Sequence, residues 1–199
     1  VVRVGGGGMA RNDADPAALA ALELFFDGGA QPNPGPSGAG ALLLGPRGET
    51  VWEGSCYVGA RATNNEAEYA ALIRGLAQAR ELGAGTLVVK GDSQLVIRQM
   101  RGEYRVKALN LRPLHDEARD LARAFASVTY VHVARALNAR ADALATAGIA
   151  LGGGVAAVPM YGGGAGAVAA PAVATAAAAP PPSSNKRTRS DERRELAPA

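Results

Sequence analysis

The stretch Leu22-Glu23-Leu24-Phe25-Phe26-Asp27-Gly28-Gly29 decides how this chain is read. Four large apolar residues in five make a short, largely buried strand, and an acid followed by two glycines ends it. Working outward, residues 40–44 and 51–57 read as two more strands, joined through Gly45-Pro46-Arg47-Gly48, which carries hairpin turn chemistry. The period then changes. Leu72, Ile73, Leu76, Ala79 and Leu82 recur at helical spacing, with Thr63 and Asn64 as cap residues before them and Gly83 as the stop. Residues 86–90 form a β-branched strand that again ends on Gly91-Asp92. Residues 93–101 predict a short helix, and 109–125 a longer one with Leu111, Leu114, Ala118, Leu121 and Phe125 inward. A fifth strand at 128–133 and a helix at 138–147 complete the order βββαβααβα. A meander followed by βαβ-type crossovers predicts an α/β domain with a five-stranded mixed sheet flanked by helices.

Composition bounds what this domain can be. The chain has 199 residues, 48% hydrophobic, but 44 of the 199 are alanine, so the larger apolar side chains support only a modest core. Residues 22–148 are expected to fold. Residues 1–21, with four consecutive glycines before Met9, read as a loose arm whose true start is expected at Met9. Residues 149–199 read as an Ala/Gly/Pro-rich low-complexity tail. No charge falls between positions 143 and 185, but repeated prolines and glycines there argue against a membrane span. The basic run Lys186-Arg187-Thr188-Arg189 is a solvated terminus or a weak nucleic-acid patch. With one cysteine, Cys56, and two histidines, His115 and His132, a disulfide framework and a structural zinc site are excluded. With no secretory or membrane-spanning pattern, an intracellular, cytoplasmic location is the default expectation.

Four carboxylates stand where a stable fold does not need them. Asp27 and Asp92 end strands, Glu68 lies in the first turn of the long helix, and Asp142 near the start of the last. Open α/β sheets put ligand sites at the carboxyl ends of parallel strands. If the first and fourth strands are parallel neighbours, Asp27 and Asp92 face each other there, each a like-charge burden on the other. Mg²⁺, a hard ion that takes oxygen ligands, relieves such a cluster, and two such ions can act on a phosphodiester. Turn, dipole and surface roles explain each acid singly, and the spacing does not overturn them.

The residues around the acids do. Asp27-Gly28-Gly29-Ala30-Gln31-Pro32-Asn33-Pro34-Gly35-Pro36-Ser37-Gly38-Ala39-Gly40 resembles the first motif of type 1 ribonuclease H in its plant-like and archaeal-like form. Residues 63–72 (Thr63-Asn64-Asn65-Glu66-Ala67-Glu68 and onward) resemble the second, Gly91-Asp92-Ser93-Gln94 the third, and Asn138-Ala139-Arg140-Ala141-Asp142 the last. The four occur in order across residues 22–148. The resemblance implies a ribonuclease H-like fold and a metal-dependent endoribonuclease that cuts the RNA strand of RNA–DNA hybrids by a two-metal-ion mechanism, leaving 5′-phosphates. Asp27, Glu68, Asp92 and Asp142 become the catalytic metal ligands, for two Mg²⁺ with Mn²⁺ as a substitute. Asn33, Asn64, Asn65 and Gln94 become contacts to the hybrid, whose RNA strand is marked by its 2′-hydroxyls, with turn and cap duty the alternative role, for Asn64 on equal footing. No organic cofactor and no membrane partner are implied, and a monomer is expected. A nuclease that also cuts double-stranded RNA, and a non-catalytic hybrid-binding module, are the rival readings.

The chain departs from the family pattern twice. It lacks the basic helix and protrusion that many bacterial members carry after the third motif, leaving Arg105, Lys107 and Arg112 as candidate phosphate contacts or solvated-face charges and predicting weak hybrid affinity. Where some relatives have a mobile histidine before the last acid, the loop here is short. His132 falls inside the strand, and Arg135 takes the catalytic assignment. Glu66, two positions before Glu68 and therefore on another helical face, reads as a first-turn charge.

Overall fold

The computed structural model describes residues 21–152. The expected arm and tail, and a start at Met9, lie outside the described residues but for Ala21 and residues 149–152. Strands β1 (Ala21–Ala30), β2 (Gly35–Leu44) and β3 (Thr50–Ala62) are followed by α1 (Asn64–Glu81), β4 (Thr86–Gly91), α2 (Gln94–Met100), α3 (Arg112–Ala122), β5 (Ser127–His132), a 3-10 turn (Arg135–Leu137) and α4 (Ala139–Leu151). The sheet order is β3-β2-β1-β4-β5. β1 pairs antiparallel with β2 and parallel with β4, and β4 pairs parallel with β5, so the sheet is mixed as expected. None of the described helices is long and apolar enough to cross a membrane.

The order matches the sequence reading, and the boundaries differ for physical reasons. β1 does not stop at Asp27. It continues to Ala30 because Asp27 to Ala30 stay paired with Gly40 to Ser37 of β2, although the parallel pairing with β4 ends at Phe25–Lys90. Asp27 is thus a residue within a strand, opposite Gly40, at the point where one neighbour strand has ended. α3 begins at Arg112, three residues later than expected, with Pro113 in its first turn, where proline's missing N–H costs nothing. It ends at Ala122, leaving buried Phe125 in the following turn. α4 runs to Leu151, past the expected domain limit at 148.

The core lies chiefly between the sheet and α1, with α3 packed outside α1. Leu22, Leu24 and Phe26 of β1, Leu87 and Val89 of β4, and Leu72 and Leu76 of α1 are all at most 2% exposed. α1 is opened by a capping box: Thr63 Oγ1 accepts from the Glu66 N–H, and Glu66 Oε2 accepts from the Thr63 N–H. Gly83, at φ +76°, ends it in the left-handed conformation that glycine adopts without strain.

Two close approaches set the layers around the acids. A Cβ on Gly28 would lie 2.1 Å from the Ala67 carbonyl carbon, so β1 and the first turn of α1 meet backbone to backbone. On the other face, Cβ atoms on Gly38 and Gly40 would lie 2.3 Å from Ala145 backbone atoms, so α4 sits directly on β2. Any side chain at these positions would push α1 or α4 off the sheet.

Candidate active site

Each acid comes from a different element. Asp27 is on β1, Glu68 is in the second turn of α1, Asp92 follows β4, and Asp142 is in the first turn of α4. Parallel pairing of β1 with β4 brings Asp27 and Asp92 to the same rim, as the sequence expectation required. The close approach at Gly28 brings the start of α1 to that rim, and the approach at Gly40 brings α4. All four carboxylates line one polar cavity of about 380 Å³, together with Asn64 and Arg135.

The cavity is electrostatically loaded. Burial pushes the Asp27 carboxyl up to about 7, and the charges of Asp92 and Asp142 push the same way against the Gly28 N–H and Arg135. Burial also raises Glu68 to about 7, helped by Asp27 and Asp92 and opposed by a hydrogen bond from Ser93. Among the described residues no three acid, imidazole or thiol groups already converge as a ligand set. Three of the acids are instead held by neighbours. Ser93 Oγ donates to Glu68 Oε2 at 2.5 Å, Asn138 Nδ2 to Asp92 Oδ1 at 2.7 Å, and Arg135 Nη2 to Asp142 Oδ1 at 2.6 Å. An all-oxygen donor set in which Asp27 and Glu68 are pushed up by burial and neighbouring charge fits hard divalent cations: a positive ion relieves the repulsion, and carboxylates are what Mg²⁺ and Mn²⁺ prefer.

The remaining sequence candidates fall into two groups. Asn64 Oδ1 accepts from the Ala30 N–H at 2.8 Å, and the Asn64 N–H donates to Asn33 Oδ1 at 3.1 Å. These two asparagines therefore tie the β1–β2 loop to the start of α1, and Asn64 also lines the acid cavity. Asn65 and Lys107 line a neighbouring groove of about 550 Å³, with Leu95, Tyr104 and Arg105. Gln94, the first residue of α2, is exposed. Arg112 lies outside both cavities, and its Nε donates to the Val106 carbonyl at 3.3 Å. Glu66 is the capping-box partner, not a cavity acid. Burial works against its charge, but bonds from Thr63 and Asn110 outweigh it and lower its pKa.

Two residues had no role assigned from sequence. Ser93 caps α2 while bonding Glu68, and Asn138 is buried against Asp92. Both follow directly on the acid motifs or begin them, which is the only trace they leave in the sequence. His132, the last residue of β5, places Nε2 3.1 Å from the Asp92 backbone carbonyl oxygen, nearer the acids than a strand position implied.

A family model described as "Reverse transcriptase-like" matches residues 25–148. The chain is 43% identical over 124 residues to a protein named Ribonuclease HI from Halobacterium salinarum, the match covering 62% of each. It is 45% identical over 119 residues to the bifunctional protein Rv2228c of Mycobacterium tuberculosis, covering 60% of this chain and 33% of that protein. The solved N-terminal RNase H domain of that mycobacterial protein superposes with a TM-score of 0.64 at 40% identity, covering 66% of this chain and 94% of the solved one. LC11-RNase H1, solved in complex with an RNA/DNA hybrid, gives 0.63 at 35% identity, covering 67% and 99%. The chain thus spans about three-fifths of the length of the halobacterial relative and a third of the mycobacterial one.

Proposed function

Because the chain belongs to the reverse transcriptase-like family and carries the ribonuclease H fold, we propose that it is a metal-dependent endoribonuclease acting on the RNA strand of RNA–DNA hybrids. One observation carries the reading: four carboxylates from four separate elements are gathered at one polar cavity, at an electrostatic cost that the fold alone does not explain. Divalent ions bound there would neutralise that charge, activate water and stabilise the leaving oxygen of a phosphodiester. The reaction adds water across the P–O3′ bond and leaves a 5′-phosphate and a 3′-hydroxyl.

The chain's own residues divide the work. Asp27 and Asp92 would hold the ions. Glu68, fixed by Ser93, would hold one ion and orient a substrate hydroxyl or water. Asp142 would contribute to the second ion and is paired to Arg135, whose exposed guanidinium can turn to a phosphate oxygen. Asn64 and Asn65 begin α1 on adjacent sides of a ridge, one lining the acid cavity and the other the neighbouring groove. A duplex seated on that ridge puts one strand over the acids and the other along Tyr104, Arg105 and Lys107, with polar side chains between for the 2′-hydroxyls of the RNA. Such hybrids arise inside cells, and an intracellular setting is part of the proposal.

The test is cleavage of an end-labelled hybrid with Mg²⁺ and separately with Mn²⁺, beside Asp27→Asn and a duplex RNA of the same sequence. Metal-dependent cutting of the hybrid, lost in the variant, is expected. Inert wild type with both ions, or a variant as active as wild type, overturns the reading. Equal cutting of duplex RNA replaces it with a broader nuclease.

A further inference from the structure

Asn138 occupies the N-cap position of α4, where an asparagine side chain ordinarily accepts a hydrogen bond from the helix's own first turn. Here it makes no such bond. The residue is 1% exposed, and its side chain bonds the β1 backbone and the Asp92 carboxylate instead of its own helix. Both bonds come from one nitrogen: Nδ2 donates to the Phe26 carbonyl oxygen at 2.9 Å and to Asp92 Oδ1 at 2.7 Å. Its backbone carbonyl accepts from the Asp142 N–H at 3.1 Å. Its own Oδ1 is buried with no hydrogen-bond partner among the described residues.

These contacts reach three of the four acid-bearing elements. Phe26 immediately precedes Asp27 on β1, Asp92 is held directly, and Asp142 begins its helical turn on the Asn138 carbonyl. The cap bond that an N-cap asparagine ordinarily supplies is not made, so helix capping does not explain the residue. The amide group matches the geometry for another reason. A planar NH₂ has two hydrogens in fixed directions, and here they set the Asp92 carboxylate relative to the β1 backbone.

We infer that Asn138 is a positioning residue that fixes the Asp92 carboxylate, and with it the spacing of Asp27, Asp92 and Asp142, for divalent-cation binding. The inference rests on the proposed metal-dependent function of the same cavity and extends it to a residue that touches no substrate. Outer partners of metal ligands of this kind change cation affinity by about 10–100-fold when removed.

The experiment titrates Mg²⁺ or Mn²⁺ into wild type, Asn138→Ala and Leu114→Ala by calorimetry, and measures hybrid cleavage against Mg²⁺ concentration for each. Leu114 is buried in the core and lines neither cavity, so its truncation lowers stability without touching the acids. Asn138→Ala is expected to weaken cation binding and to raise the half-saturating Mg²⁺ by about 10–100-fold, with much of the cleavage rate restored at high Mg²⁺. Leu114→Ala is expected to keep the wild-type isotherm. Wild type that binds no cation refutes the functional reading itself. Wild type that binds and cuts, with an Asn138→Ala isotherm superimposed on it, overturns the inference and leaves the function standing. If Asn138→Ala does not fold, nuclear magnetic resonance of wild type decides. The Asn138 side-chain amide pair should shift saturably with Mg²⁺ at the calorimetric midpoint, and a pair that does not move overturns the inference.

Discussion

Asp27 and Glu68 are carboxyls that the folded chain prefers to keep protonated up to about pH 7. The unfolded chain releases those protons near pH 4, so between about pH 4 and 7 the folded state binds more protons and loses stability as pH rises. Metal-free protein is therefore expected to melt at a lower temperature at pH 8 than at pH 5 by the share these two groups contribute. Asp27→Asn should flatten that difference, and Mg²⁺ should raise the melting temperature more at pH 8 than at pH 5. Thermal melts in chelator and in Mg²⁺ check both signs. Removing a ligand costs more than removing its outer partner, so Asp27→Asn is expected to lose more than about 100-fold in hybrid cleavage at fixed Mg²⁺. Glu66 gives the contrast. Two positions away, it serves the capping box, so Glu66→Gln should leave the cation isotherm unchanged and affect only helix stability.

At the scale of elements, the distances between acids depend on backbone contacts at glycines. A methyl on Gly28 would meet the Ala67 carbonyl carbon at 2.1 Å, and backbone atoms cannot swing aside as a side chain can. Gly28→Ala is expected to destabilise by about 1–3 kcal/mol and to move Glu68 away from Asp27. Denaturant unfolding and a weakened cation isotherm measure the two effects separately. Thr63→Ala removes the α1 cap and should cost about 1 kcal/mol.

The element order was legible because hydrophobic period and turn residues are local signals: Leu72 to Leu82 repeat helically, and Gly45 to Gly48 form a turn. The extension of β1 past Asp27 was not, because it depends on pairing with Gly40 to Ser37, seven to thirteen residues downstream. The start of α3 is not legible because Leu111 fits the helical period yet is the N-cap, one residue before Arg112 and Pro113 open the helix. The acids were legible as motifs. Their partners Ser93 and Asn138 were not, since each is also an ordinary cap residue and only the folded chain decides which way its side chain turns.

Across the whole domain, charge is distributed unevenly. Residues 22–148 hold 14 basic and 13 acidic residues, and without the four cavity acids the balance is 14 to 9. A basic surface around an acidic cavity suits a polyanion that must approach a cluster of carboxylates. Lys107, in the groove beside the cavity, tests this at the scale where it acts. Lys107→Ala should weaken hybrid binding and reduce the slope of log affinity against log salt by about 1, with cleavage at saturating hybrid little changed.

The contact of α4 with β2 through Gly38 and Gly40 has a consequence for how the molecule tolerates change. The leucine-rich core between sheet and α1 can exchange volume among its side chains, but at Gly38 and Gly40 β2 meets the α4 backbone with no side chain of its own to exchange. Asp142 rides on that helix, so at this seam its depth is set by main-chain atoms that substitutions elsewhere leave in place. Interior redesign for heat resistance can therefore proceed on the α1 side while Asp142 keeps its position, and a search for altered metal requirement should begin at the glycine seam.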